Sequence, residues 1–201
     1  MLLENALIKH PLCQPVAKRY RQWYDFMENN VEYWMADSPW HAKDHAARVL
    51  LLALILGHKK GLDNEGMDTL SLAAVFHDSR RVDDWIDRGH GERAANYYRE
   101  RCRETNIYID AHAAFIMHHH DLDDRIGLAV IDRMYAGRAE RLALFQIFKD
   151  ADALDRFRLG DDNLNVSMLR TEEAPTLIEF SKQMLQQSRN ELNARSGAVT
   201  L

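Results

Sequence analysis

Residues 49–56 read VLLLALIL, an unbroken apolar octet that begins four positions after a histidine and stops at Gly57. Eight apolar residues in a row leave no face for water, so the rest of the chain must enclose whatever they form. The run is far too short to cross a bilayer, which takes about 20 residues. Set in DSPWHAKDHAARVLLLALILG, it reads as a core helix with Ser38 as N-cap, Pro39 at the first helical position and Gly57 as the stop.

The remaining windows follow the same period. Residues 14–35, behind Pro11 and Pro15, read as an aromatic-rich amphipathic helix, and MDTLSLAAVFHD reads as a central helix, apolar on most faces. SRRVDDWIDRGHG is a loop. ERAANYYRERCRE and IYIDAHAAFIMHHH are two further helices, RAERLALFQIFKDADALDRFRLG is a helix ending at Gly160, and Pro175 opens a last one that fades near Gly197. No stretch alternates as a strand would. The expected architecture is an all-α bundle forming one domain: an N-terminal helix packed on the core (1–37), a helical core (38–160) and a C-terminal helical extension (161–201).

Of the 201 residues, 46% are hydrophobic and 28% charged, enough to fold without a staple. Two cysteines outside any CxxC pair form no disulfide framework, so a bound metal would serve chemistry. A net charge of -5 without a basic run argues against a nucleic-acid polymer as partner. The first twelve residues carry Glu4 and Lys9 and lack the pattern of a secretory signal. The expectation is a cytoplasmic protein with no membrane partner, and a homodimer is compatible with it.

Seven of the ten histidines, with several aspartates, fall at or near expected helix ends, while His10, His58 and His112 show no such pattern. His41 and His45, four apart, share a face of the expected helix. His77 and Asp78 diverge by about 100° and can grip one ion only at a helix end. His90 starts a helix, and His118, His119 and His120 close one. Asp152 and Asp155 share a face, while Asp150 points elsewhere, so alanine at Asp150 should be mild if Asp152 is a ligand. Helical bundles build metal sites from side chains converging in this way. Imidazole with carboxylate suits manganese, iron, nickel or zinc.

HAARV (45–49), HD (77–78) and DADALD (150–155), in that order, resemble the signature of the HD-domain superfamily of metal-dependent phosphohydrolases. The likeness covers roughly residues 38–160. It implies an HD-type helical bundle with His45, His77, Asp78 and Asp152 as metal ligands. Two-metal members add ligands that correspond here to His41, His90 and the pair His119 and His120. Arg81 fills the family's lysine position.

The resemblance implies one or two divalent ions (Mn, Fe, Ni, Zn or Mg) and a small phosphorylated substrate, a nucleotide above all. Such an ion would lower the pKa of a water to about 7 for attack on phosphorus. Arg80 and Arg81 could grip the phosphate, with Arg81 the catalytic candidate. Asp83 or Asp84 could accept a proton or orient a ligand histidine, and Asp84 is taken as the second catalytic candidate. The rival readings are a di-iron HD-scaffold oxygenase and a non-catalytic metal- or ligand-binding module.

Overall fold

The computed structural model describes residues 9–38, 40–105, 108–134 and 136–198, with side chains described to residue 190. Among the described residues there are eight α-helices and no strand: α1 (Ala17–Asn30), α2 (Lys43–Lys59), α3 (Asn64–Phe76), α4 (His90–Thr105), α5 (Ala111–His119), α6 (Asp124–Asp132), α7 (Arg138–Leu154) and α8 (Ile178–Ala198). None of these helices is long and apolar enough to cross a membrane.

The apolar octet is where its composition demands. Every residue of α2 from His45 to Gly57 is buried, and the helix packs against α1, α3 and α7. α3 is almost as enclosed, and α5 lies between α3 and α4. Gly57 does not stop α2, which runs to Lys59 and turns at Gly61, where φ is +72°. A side chain on Gly57 would meet Met67 Sδ at 2.8 Å and Leu70 Cδ1 at 3.0 Å, so this glycine lets α2 and α3 approach closely.

Other elements differ from the sequence reading as well, among them α7, which ends at Leu154 and passes into a 3-10 turn before Gly160. α1 ends at Asn30, five residues short of the expected end. Asn29 and Asn30 turn their amides back onto the carbonyls of Asp25 and Phe26, and Val31 leaves in extended geometry. The freed strand of chain crosses the end of α3, where Tyr33 donates to the Val75 carbonyl and the Trp34 amide to that of Ser79. Ser38 does not cap α2, which starts at Lys43. Its hydroxyl instead accepts from the Trp40 and His41 amides and donates to Asp84. Pro39 lies outside the described residues. Finally, α6 was not expected. Its signal was Asp123, whose side chain caps the Arg125 amide ahead of buried Gly127 and Ile131 at helical spacing.

Asp150 corrects a further expectation. It is fully buried on α7 and accepts from the backbone amides of Arg170 and Thr171, the Thr171 hydroxyl and the Arg170 guanidinium. The carboxylate pins the chain between α7 and α8. Replacing it with alanine strands four donors, one of them charged, and should cost about 3–5 kcal/mol in denaturant unfolding. Metal content of the folded fraction should be unchanged, since Asp150 touches no member of the site described below.

Candidate metal centre

The histidines and aspartates meet at one end of the bundle because each stands at a helix terminus. His45 is in the first turn of α2. His77 and Asp78 follow α3, His90 opens α4, His120 follows α5, and Asp152 closes α7. All but Asp152 are buried, and Asp152 is half-buried.

One local device repeats three times. His77 Nδ1 donates to the Ala74 carbonyl at 2.9 Å, His90 Nδ1 to that of Asp87 at 2.6 Å and His120 Nδ1 to that of Met117 at 2.7 Å. Each imidazole thus satisfies a carbonyl three residues back, two of them the orphan carbonyls of a helix C-terminus. A carbonyl only accepts, which assigns the proton to Nδ1 and leaves Nε2 facing inward. His45 reaches the same tautomer differently: its Nδ1 donates to Asp155 Oδ2 at 2.7 Å.

The inward atoms form two groups. His45 Nε2 lies 3.2 Å from His77 Nε2, 3.5 Å from Asp78 Oδ2 and 3.3 Å from Asp152 Oδ1. His90 Nε2 lies 2.9 Å from His120 Nε2 and 3.0 Å from Asp78 Oδ1, and His120 Nε2 is 3.4 Å from the same oxygen. His45, His77 and Asp78 could hold one metal ion, and Asp78, His90 and His120 another. Asp78 serves both, one oxygen to each. Lone pairs facing one another at such distances repel unless a proton or a cation lies between them. Donors about 2.0–2.2 Å from one ion stand about 2.9 Å apart at right angles and about 3.4 Å apart in a tetrahedron. These edges fall close to that scale, and His77 Nε2 to Asp78 Oδ2, at 3.8 Å, is the long one.

Charge is tuned to match. Burial pushes His77 down to about 3, with Asp78 opposing and His120 and His45 adding, so it is a neutral donor near pH 7. Burial alone would raise Asp78, but His77, His120, His90 and His45 around it hold it well below the carboxylate range. Asp152 is likewise lowered, its burial outweighed by His45, His77 and Arg158. Burial would lower His90, yet its hydrogen bond to Asp78 and that carboxylate's charge raise it. A cation at this point would take the place of the shared proton.

A second layer orients the donors. Arg48 grips Asp155 with two bonds, Nε to Oδ1 at 2.6 Å and Nη2 to Oδ2 at 2.9 Å, which fixes the partner of His45. The sequence reading missed this role. The signal was there in part: Asp155 stands three residues from Asp152, and Arg48 three from His45. Lys149 holds the His120 and Leu122 carbonyls. Asp121 accepts from the Gly89 amide and sets the start of α4. A side chain on Gly91 would meet the Met117 carbonyl at 2.4 Å, Asp121 Oδ1 at 2.6 Å and His120 Nδ1 at 3.1 Å. Gly91→Ala should therefore push α4 off α5 and weaken the ion of the His90 group about 10- to 100-fold, sparing the His45 group, as metal titration would read.

Other expected residues stand elsewhere. His119 Nδ1 donates to the Phe115 carbonyl and its ring packs on Phe115, centroids 4.2 Å apart, so His120 is the member of the run that joins the centre. His41 precedes α2 rather than sharing its face with His45. It lies outside both groups, its Nδ1 2.8 Å from Asp84 Oδ1. Asp84 thereby ties His41 and Ser38 together. Arg80 is committed to structure: its guanidinium lies 3.2 Å from the Tyr97 ring centroid and donates to the Glu32 carbonyl. Arg81 is at the centre, with Nη1 3.7 Å from Asp78 Oδ1 and 3.3 Å from His90 Nε2.

No protein-family model matches this chain, and no curated protein or solved structure matches it.

Proposed function

We propose that this chain is a metal-dependent phosphohydrolase of the HD type, cleaving a phosphoester or phosphoanhydride in a small metabolite, a nucleotide above all. The observation that carries the reading is Asp78, whose two oxygens belong to two adjacent donor groups. A shared carboxylate suits a pair of divalent ions, which would offset the charge on the oxygens of phosphoryl transfer. Bound ions would supply acidity to a water near neutral pH and charge to offset the phosphoryl oxygens.

The chain's own residues fit this task. His45, His77, Asp78 and Asp152 would hold one ion; Asp78, His90 and His120 the other. The neutral imidazoles leave a formal charge of two on the carboxylates Asp78 and Asp152, so two divalent cations would make the centre attractive to an anion. Arg81 stands beside the His90 group, its Nη1 3.7 Å from Asp78 Oδ1, and adds fixed positive charge there. Asp84 keeps His41 in place rather than touching the donors.

The test is elemental analysis of the purified protein together with phosphate release from mononucleotides and sugar phosphates in Mn(II), Ni(II), Zn(II) or Mg(II). Release that disappears in His77→Ala supports the reading. Iron held as a redox-active pair, with no phosphate released, would transfer the same donor set to dioxygen chemistry. Bound metal with no turnover of any kind would leave a binding module.

A further inference from the structure

Between the ligands Asp78 and His90, the chain carries the most exposed large aromatic near the centre. Trp85 is 87% exposed and Ile86 83%. Trp40, on the segment before α2, is 39% exposed. Among the described residues neither indole makes a ring or cation contact.

Despite that exposure, the loop beneath Trp85 is tightly held. Arg81 Nε donates to the Asp83 carbonyl and Nη2 to the Trp85 carbonyl at 2.9 Å. The Trp85 amide donates to Asp83 Oδ1 at 2.7 Å, and the Val82 amide to Asp87 Oδ2 at 2.7 Å. Arg93 grips Asp87 with two bonds of 2.6 Å. The other arm of Arg81, Nη1, is 3.3 Å from His90 Nε2. One rigid guanidinium thus spans from a donor atom of the centre to the Trp85 backbone, placing the two within about 9 Å. Asp84 joins this loop to the chain ahead of α2, accepting from the Ser38 hydroxyl and facing His41 Nδ1 at 2.8 Å.

Resting on the hydrolase reading, we propose that Trp85 is the platform that stacks the nucleobase of a mononucleotide whose phosphate lies at the metal centre. The platform is preorganised by Arg81, so stacking orders little chain on binding. Indole stacks on any base, and the loss of one such contact is expected to weaken binding about 5- to 100-fold. The Trp85 carbonyl lies within about 9 Å of a donor atom of the centre, a span that a ribose phosphate together with its base can cover. A protein partner would need no such proximity to the donor atoms.

The experiment measures binding of AMP and of ribose 5-phosphate to the Mn(II)-loaded full chain by titration calorimetry, with and without Trp85→Ala. AMP should bind at least five-fold tighter than ribose 5-phosphate. That preference should vanish in Trp85→Ala and largely return in Trp85→Phe, which restores a flat ring. Equal affinities in the wild type, or a preference that survives Trp85→Ala, would overturn the proposal. So would a dimer in light scattering that Trp85→Ala dissociates, since the indole would then face a second copy. Affinity is scored apart from phosphate release, as KM where the ligand is turned over, so an absence of phosphate release would count against the hydrolase reading alone.

Discussion

Asp78→Asn should empty both metal groups at once. The substitution keeps the shape of the side chain and removes the charge that each group uses, Oδ2 beside His45 and Oδ1 beside His90 and His120. An ion held by neutral imidazoles and a carboxylate loses its strongest electrostatic anchor, and a loss beyond about 100-fold in affinity is expected for a direct ligand. His120→Ala should behave differently, releasing one ion and keeping the other, because the His45 group does not use it. The check is metal per chain by elemental analysis after dialysis, beside phosphate release. Wild-type protein should carry two ions, His120→Ala one and Asp78→Asn none. If Asp78→Asn retained one tightly bound ion, the carboxylate would not be shared and the two groups would be independent sites.

The second large effect is acid lability of the protein freed of metal by a chelator. His77 is held down at about 3, against 6.5 for an ordinary histidine. The unfolded chain therefore binds a proton that the fold refuses, and stability falls as pH drops from about 6.5 toward 3. The slope approaches 1.4 kcal/mol per unit for this one group, or about 2 kcal/mol between pH 6.5 and pH 5. His41 and His119 are lowered too and act in the same direction; His90 is raised and offsets part of the loss. Asp78 and Asp152 lose their contribution only at still lower pH, because both are held well below the ordinary carboxylate value of 3.8. Urea unfolding at pH 7, 6 and 5 reads the slope directly, and His77→Gln should flatten it. A stability that stayed level from pH 7 to pH 5 would mean that His77 accepts its proton inside the fold.

Reading along the chain singled out His45, His77, Asp78 and Asp152 through the likeness of their motifs to the HD signature, with His90 as a further candidate, and the structure brings these side chains together. Between His119 and His120 the same reasoning could not choose. They differ by 100° about one axis, and only the packing of α5 against α4 and α6 turns one inward. His41 was misplaced for a related reason: the i, i+4 rule holds only inside a helix, and α2 starts at Lys43. Asp150 and Asp155 illustrate the third kind of gap. Neither has a partner visible in DADALD, because those partners, Arg170 and Thr171 for one and His45 and Arg48 for the other, lie about 20 and about 110 residues away.

Composition and period by themselves pointed to an all-α fold, to the enclosure of residues 49–56, and to a gathering of imidazoles and carboxylates at helix ends. All three follow from which side chains water accepts and from the 3.6-residue turn. Tertiary structure alone decided which of those ends meet and that Asp78 faces two ways. It also decided which carboxylates turn inward to hold chain instead of facing solvent. Helix ends distant along the chain are brought together by packing of apolar faces, and no local pattern records the distance between them.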